Sequence, residues 1–177
     1  MLRLFAALHV PEDIGEALQR RQQGIPGARW RSLEALHVTL RFFGEVREDE
    51  ADDLDAMLST ITSAPFDVAL EGAGSFGEGE DIHAVWAGVA ESGPLRTLAG
   101  RCEAAARKAG LKPEHRTYRP HVTLAYLTRP DPGRVAGWIQ AHNLLKSPEW
   151  RAASFGLYSS TLGTSGSVYR LEREYWF

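Results

Sequence analysis

The sequence has a single cysteine, no long apolar run and no excess of positive charge. Cys102 is the only cysteine among 177 residues, which excludes an internal disulfide and a cysteine-based metal cluster. No uncharged apolar run approaches the roughly 20 residues that a membrane-spanning helix needs. The net charge of −3 argues against non-specific binding of long duplex nucleic acid, because proteins of that class are usually basic.

The N-terminus also lacks the features of a targeting segment. The apolar run in MLRLFAALHV is short, and Pro11, Glu12 and Asp13 follow it directly. A secretory signal would need a longer apolar region and a small-residue cleavage site. We therefore expect a cytoplasmic protein that begins on a β-strand and has no membrane contact.

The apolar pattern predicts alternating strands and helices in one domain covering residues 1–177. Strands are predicted at 2–9, 36–43 (ended by Gly44), the start of 65–77 before a glycine-rich loop, 82–90, 118–127, and 153–162 and 168–177 around a turn. Helices are predicted at 11–24, 48–63, 93–110 and 130–145. The second half approximately repeats the element order of the first, so we expect an α+β fold with two similar lobes.

One tetrapeptide, His-Val-Thr-Leu, occurs twice, at residues 37–40 and 121–124. The chain's own composition would give a repeat of this word roughly two times in a thousand. Both copies also occupy matching places in the order of elements. Basic residues flank both copies in an otherwise mildly acidic chain: Arg29, Arg31 and Arg41 beside the first, and Arg107, Lys108, Lys112, Arg116 and Arg119 beside the second.

Strand geometry gives this tetrapeptide a chemical meaning. Side chains of a strand alternate between faces, so the valine and leucine suit the core while the histidine and threonine point away together. A pseudo-twofold relation between the lobes would bring His37, Thr39, His121 and Thr123 to one cleft. One imidazole can then accept a proton while the other donates one, and the hydroxyls can hold phosphoryl oxygens. This arrangement suits displacement at phosphorus.

Other interpretations of the repeat are weaker. A lone strand histidine is usually structural, but a matched pair is harder to explain in that way. Two histidines fall short of the three or more protein ligands typical of zinc, so we expect no metal. Thr39 and Thr123 lack the N-terminal amine that usually activates a threonine nucleophile. The remaining histidines show no partner pattern and are interpreted as surface or structural: His9, His83, His115 and His142.

The two His-x-Thr-x motifs resemble those of the two-histidine (2H) phosphoesterases, and within them the LigT-like RNA 2′,3′-cyclic phosphodiesterases of the 2′-5′ RNA ligase family. The likeness runs nearly end to end, through RLFAAL, LHVTLRFFGEV, VWAGV, RPHVTLAYL and LYSSTL. It implies a bilobal α+β fold in which antiparallel sheets line a central groove and the helices lie outside.

The resemblance also implies a reaction and roles for residues. The family opens a terminal 2′,3′-cyclic phosphate on RNA to a 2′-phosphate without a metal or cofactor. His37 would be the proton donor to the leaving 3′-oxygen and His121 the proton acceptor from water, although the sequence alone does not order these roles. Thr39 and Thr123 would bind the phosphate, and a monomer is the default expectation.

The chain departs from many relatives at Tyr126, where they place a basic residue. Arg119 or Arg129 could supply the missing phosphate contact. Tyr126, Phe42, Phe5 and Trp30 can each stack on a base or pack in the core, and both interpretations stay open.

The substrate also stays open at this point. It could be RNA with a 2′,3′-cyclic phosphate end, a small cyclic nucleotide or a 2′-5′ linked nucleotide, and the reaction could run backwards as 2′,5′-ligation of RNA ends such as tRNA halves. A non-catalytic protein that binds RNA ends is the alternative outside the enzyme class.

Overall fold

The computed structural model describes residues 1–164 and 166–177, and these form four α-helices, two single-turn 3-10 helices (Leu33–Ala35 and Gly79–Asp81) and ten strands. The helices are α1 (Glu12–Gln19), α2 (Glu48–Leu58), α3 (Gly93–Lys108) and α4 (Pro132–His142). The strands are β1 (Leu2–His9), β2 (Arg29–Trp30), β3 (His37–Val46), β4 (Phe66–Val68), β5 (Leu70–Phe76), β6 (Ala84–Val89), β7 (His121–Tyr126), β8 (Trp150–Ala152), β9 (Ser154–Gly163) and β10 (Gly166–Trp176). Among the described residues no helix is long and apolar enough to cross a membrane.

Two four-stranded antiparallel sheets form the framework of the fold. The first has the order β10-β9-β1-β3 and the second the order β2-β7-β6-β5, while β4 and β8 pair separately. The first HVTL copy begins β3 and the second begins β7, and these two strands lie next to each other in space. The α+β class and the antiparallel sheets predicted from the sequence are confirmed.

The predicted alternation of faces is confirmed in both HVTL strands. Val38, Leu40, Val122 and Leu124 are each at most 3% exposed and belong to one apolar core shared by the sheets and helices. At about 25 cal/mol per Å² of buried apolar surface, these contacts fix which face of each strand turns inward. The histidines and threonines therefore have to point to the opposite face.

Helix α3 shows how local sequence sets an element that supports the site. The Ser92 hydroxyl accepts a hydrogen bond from the Leu95 amide at 3.2 Å, and Pro94 lies in the first turn. Its inward face includes Leu98 and Cys102, both at most 1% exposed. Burial raises the pKa of the Cys102 thiol to about 12, so Cys102 is an uncharged packing residue.

Several predicted boundaries are wrong: the strand predicted at 118–127 begins only at His121, the helix predicted at 130–145 ends at His142, and three others have a visible local cause. The first helix ends at Gln19 rather than Gly24, because the next residues bind elsewhere: the Arg21 carbonyl accepts from the Trp138 indole at 2.9 Å. The second ends at Leu58, where the hydroxyls of Ser59 and Thr60 bond back to carbonyls of the last turn. Gly44 does not end its strand; with a φ of 78° it adjoins a β-bulge, and β3 continues to Val46.

The glycine-rich stretch predicted as a loop is strand β5. A Cβ on Gly74 would lie 2.5 Å from the Trp86 ring of neighbouring β6, so the small residue makes room for a tryptophan across the ladder. The short strands β2 and β8 were not predicted. The predicted turn at 163–167 includes Ser165, which lies outside the described residues, but the two strands around it are confirmed.

Candidate active site

Both HVTL copies contribute to one cleft between the two sheets. The cleft has a volume of about 290 Å³, and its lining includes His37 and Thr39 from β3 and His121 and Thr123 from β7. The four residues that strand alternation placed on the same faces are thus brought together. Their convergence requires that β3 and β7 lie side by side in space, which sequence periodicity alone does not establish.

The two histidines share one local geometry. Nδ1 of His37 lies 3.1 Å from the carbonyl oxygen of Ala35, and Nδ1 of His121 lies 2.6 Å from the carbonyl oxygen of Arg119. A carbonyl can only accept, so in each ring Nδ1 carries a proton and donates it. The Nε2 atoms of both rings are therefore available for proton transfer to or from a ligand.

His37 lies in an aromatic pocket and is only 7% exposed. The ring centroids of Tyr158 and Tyr169 lie 4.6 and 5.5 Å from its own, and that of Phe5 lies 5.7 Å away. Burial lowers the pKa of His37 to about 4, and the positive charge of nearby Arg31 adds to this effect. In the free protein at neutral pH this imidazole is neutral.

His121 is half-buried and has different neighbours. The Phe76 ring meets its edge at 4.8 Å between centroids, and the Trp86 ring lies 6.2 Å away. Burial also lowers the pKa of His121, and the charge of Arg119 acts in the same direction. His121 is more exposed than His37, so less of this penalty applies to it.

Two arginines, Arg3 and Arg31, give the cleft its charge. The described residues that line it include no aspartate or glutamate. Arg31 lines the cleft, and its Nη2 is buried without a hydrogen-bond partner among the residues that the structure describes. An unpaired buried guanidinium nitrogen is costly, so an anion bound at this point would be strongly stabilised.

Arg31 is held in place by two tyrosines. Its guanidinium carbon lies 5.4 Å from the ring centroid of Tyr126 on β7 and 5.2 Å from that of Tyr169 on β10. Both distances fall within the range of cation–π attraction. Tyr126 and Tyr169 belong to different sheets, so this cluster joins the two sides of the cleft.

The other predicted contact residues fall into three groups. Phe42, Tyr126 and Phe5 line the cleft, with Phe42 and Tyr126 about 40% exposed and Phe5 buried at 5% beside His37. Arg119 lies outside the cleft lining and borders an adjoining groove. Arg129 lines neither cavity, and Trp30 packs against Trp138.

Sequence reasoning missed several lining residues. They are Arg3, Arg31, Ser160, Ser167 and Tyr169. Arg31 was visible only as one of several basic residues near the first HVTL copy. Its position depends on the pairing of β2 with β7, a contact between distant segments that leaves no local periodic signal.

The donor set for metals is limited. Among the described residues no group of three or more His, Cys, Asp or Glu side chains is arranged to hold a metal ion. The polar groups of the cleft are imidazoles, hydroxyls and guanidiniums, and the last of these favour anionic ligands.

Comparison with known protein sequences agrees with the family that the two motifs resemble. Residues 10–164 match the family described as the 2′-5′ RNA ligase superfamily. An RNA 2′,3′-cyclic phosphodiesterase of Archaeoglobus fulgidus is 30% identical over 172 residues, which cover 96% of this chain and 97% of the relative.

Solved structures share the fold. A Thermus thermophilus protein superposes with a TM-score of 0.81 at 26% identity, covering 98% of this chain and 97% of its own. E. coli LigT, crystallised with 3′-AMP, gives a TM-score of 0.80 at 24% identity over 99% and 98% of the two chains. The α+β fold with antiparallel sheets that the resemblance implies is therefore confirmed.

Proposed function

The chain belongs to the 2′-5′ RNA ligase superfamily, and we propose that it hydrolyses RNA 2′,3′-cyclic phosphate ends to 2′-phosphomonoesters by metal-independent acid–base catalysis. The observation that carries the proposal is the convergence of His37 and His121 on one cationic cleft. The name of the Archaeoglobus fulgidus relative supports the substrate. A protein that only binds RNA ends would not require two titrating groups at the phosphate.

The reaction assigns one proton transfer to each histidine. Nε2 of His121 takes a proton from water as the water oxygen bonds to phosphorus. Nε2–H of His37 gives a proton to the 3′-oxygen as the bond from phosphorus to that oxygen breaks. The 2′-oxygen keeps its bond to phosphorus, so the product carries a 2′-phosphate. His37 ends neutral and His121 charged, and exchange with solvent restores both.

The different surroundings of the two histidines favour His37 as the proton donor and His121 as the proton acceptor. When protonated, the histidine with the lower pKa is the stronger acid, and the one with the higher pKa is the stronger base. His37 has the pKa near 4, so it suits the donor role once it is protonated. The negative charge of the bound phosphodiester supplies a reason for protonation, because a nearby anion raises the pKa of an imidazole.

The remaining cleft residues stabilise charge. Thr39 and Thr123 donate hydroxyl hydrogen bonds to the non-bridging oxygens. Arg31 also lines the cleft, and its Nη2, which has no hydrogen-bond partner among the described residues, is available to contact the same oxygens. Negative charge grows on these oxygens as water attacks, so fixed donors at this point stabilise the transition state more than the substrate.

The same machinery would also join RNA ends if the 5′-hydroxyl of a second RNA took the place of water. His121 would take the proton of that hydroxyl as its oxygen bonds to phosphorus, and His37 would again protonate the leaving 3′-oxygen. The product would be a 2′,5′-linked RNA. The described residues of the cleft include no feature that distinguishes the two nucleophiles, so we expect hydrolysis to dominate because water is in large excess over RNA ends.

The test is to identify the product. The protein is incubated with excess EDTA and a short RNA ending in a 2′,3′-cyclic phosphate, and the product is compared by chromatography with 2′- and 3′-phosphate standards. A 2′-phosphate formed at the same rate with and without EDTA supports the proposal. A 3′-phosphate, loss of turnover in EDTA, or binding without turnover would each contradict it.

A further inference from the structure

A second, larger cavity opens directly off the active cleft. It has a volume of about 810 Å³ and lies between the middle of β3, one face of α3, the loop at 114–119 and the turn after β5. We call it the flanking groove. Thr39, Phe42 and His121 line both cavities, so one continuous ligand can occupy the cleft and the flanking groove together.

The walls of the flanking groove are held by buried ionic contacts. Arg41, 9% exposed, pairs with Glu103 of α3 and donates to the Lys112 carbonyl at 2.7 Å. Glu103 also accepts from the Glu114 amide at 3.0 Å. These contacts tie the loop at 114–119 to β3 and α3. The flanking groove is thus a formed feature of the fold.

Its lining carries an excess of positive charge. Four arginines and two glutamates border the flanking groove. The buried Arg41 pairs with the partly buried Glu103, but Arg116 and Arg119 lie at the exposed rim. Arg116 makes a bidentate pair with Glu114, through Nε at 3.1 Å and Nη2 at 2.8 Å. The Arg116 side chain is 84% exposed, so water screens this pair and a phosphate can compete for the guanidinium.

The flanking groove also offers flat surfaces. The guanidinium carbon of Arg119 lies 5.4 Å from the ring centroid of Phe76, and Phe42 is 40% exposed where the two cavities meet. His83 is exposed beside Phe76, with 6.3 Å between ring centroids. Aromatic rings and arginine planes are the surfaces on which unpaired RNA bases stack.

We propose that the flanking groove binds the nucleotides that precede the cyclic phosphate in the RNA chain, with Arg116 and Arg119 contacting backbone phosphates and Phe42 available for base stacking. This inference rests on the proposed function, because it places the substrate's reacting end in the cleft. A cleft of about 290 Å³ has room for little beyond the terminal nucleotide, whereas the flanking groove lies within the roughly 300–1,000 Å³ of typical ligand sites.

The test compares two substrates on the same protein. The ratio of kcat/KM for a tetranucleotide with a 2′,3′-cyclic end to kcat/KM for a 2′,3′-cyclic mononucleotide is measured for each variant. The wild type is expected to prefer the tetranucleotide by at least about 10-fold. Arg116→Ala/Arg119→Ala should lower the ratio by about 10-fold, since each phosphate contact is charge-assisted. The ratio cancels any effect that the double variant has on the shared cleft.

The matched control removes two arginines elsewhere. Arg134→Ala/Arg151→Ala also takes away two exposed arginines, one of them paired with a carboxylate, but neither lines the flanking groove. It should leave the ratio unchanged. Salt dependence gives a second readout. For the tetranucleotide, log(kcat/KM) should fall with log salt concentration, and in Arg116→Ala/Arg119→Ala the slope should be shallower by about 0.7 for each phosphate contact that is lost.

The outcomes separate this inference from the proposed function. Turnover of both substrates at equal kcat/KM, or equal ratios in the groove and control variants, would overturn the inference and leave the proposed reaction standing. Failure to turn over either substrate would instead remove the proposed function.

Discussion

The two histidines have the same tetrapeptide and the same hydrogen bond to a carbonyl two residues earlier, yet different surroundings. His37 is enclosed by Phe5, Tyr158 and Tyr169 and has a pKa near 4. His121 is more exposed, contacts Phe76 and borders the flanking groove. A symmetric motif therefore becomes chemically asymmetric through neighbours from other strands.

The proton-transfer roles proposed for the two histidines depend on two separate features of their surroundings. The backbone hydrogen bond fixes which nitrogen faces the ligand, and it is the same in both halves. The pKa depends on burial and on nearby charges, and the burying side chains come from β1, β9 and β10 for His37 and from β5 and β6 for His121. We infer that these surrounding side chains, rather than the HVTL tetrapeptide, distinguish acid from base.

Replacing either histidine of the cleft should have the largest effect on kcat. His37→Ala and His121→Ala should each lower kcat by about 10²–10⁴-fold, because each removes one proton transfer. His115→Ala, which changes an exposed histidine outside the cleft, should leave kcat unchanged. Circular dichroism checks that all three variants fold. Full activity in either cleft variant would contradict the mechanism.

The pH dependence should show the low pKa of His37. In the free protein the donor must be protonated, and above its pKa that fraction falls tenfold per pH unit. We therefore expect kcat/KM to fall by about 100-fold from pH 7 to 9, where His121 is already neutral. The acid limb should reflect protonation of His121. A flat profile between pH 5 and 9 would rule out paired acid–base roles.

Removing Arg31 should have the next largest effect. Arg31→Ala is expected to lower kcat/KM by about 10–100-fold, since a hydrogen bond to a charged group is worth roughly 1.5–3 kcal/mol. Arg31→Lys should restore part of this loss. Arg29→Ala, two residues away and bonded to Thr128, is the control and should change kcat/KM little. Equal effects of the alanine variants would remove Arg31 from the phosphate site.

Substitutions at Tyr126 should have the smallest effect on kcat/KM, and they distinguish a role of the aromatic ring from a role of the hydroxyl. Tyr126→Phe keeps the ring beside Arg31 and should alter kcat/KM by less than about threefold. Tyr126→Ala removes a cation–π contact worth roughly 0.5–2 kcal/mol and should cost about 2–30-fold. If the phenylalanine variant were as impaired as the alanine variant, the hydroxyl rather than the ring would be the important group.

The strand faces and the paired motif could be predicted from the sequence because they depend on local periodicity. Alternation alone places Val38 and Leu40 in the core and His37 on the opposite face. In the structure, Val38 and Leu40 are buried in the core and His37 lines the cleft. The repeat then predicts a second strand of the same kind. What local periodicity could not supply is the set of side chains that come from paired, distant strands.

Two examples show this limit. Arg31 reaches the cleft only because β2 pairs with β7, and the local sequence around Arg31 does not predict that pairing. The glycine-rich stretch of β5 was predicted as a loop because glycine disfavours strands, but Trp86 on β6 requires the small residue at Gly74. In both cases a partner distant in sequence determines the outcome.

The central claim is that His37 donates a proton to the leaving oxygen and His121 accepts one from water. The most direct test is a substrate whose leaving group does not need a proton. A substrate whose 3′-bridging oxygen is replaced by sulfur has a leaving group that departs without protonation. Single-turnover rates on this substrate should recover largely in His37→Ala and remain low in His121→Ala, because only the base is still required. Recovery in His121→Ala alone, with none in His37→Ala, would contradict the assignment of donor and acceptor.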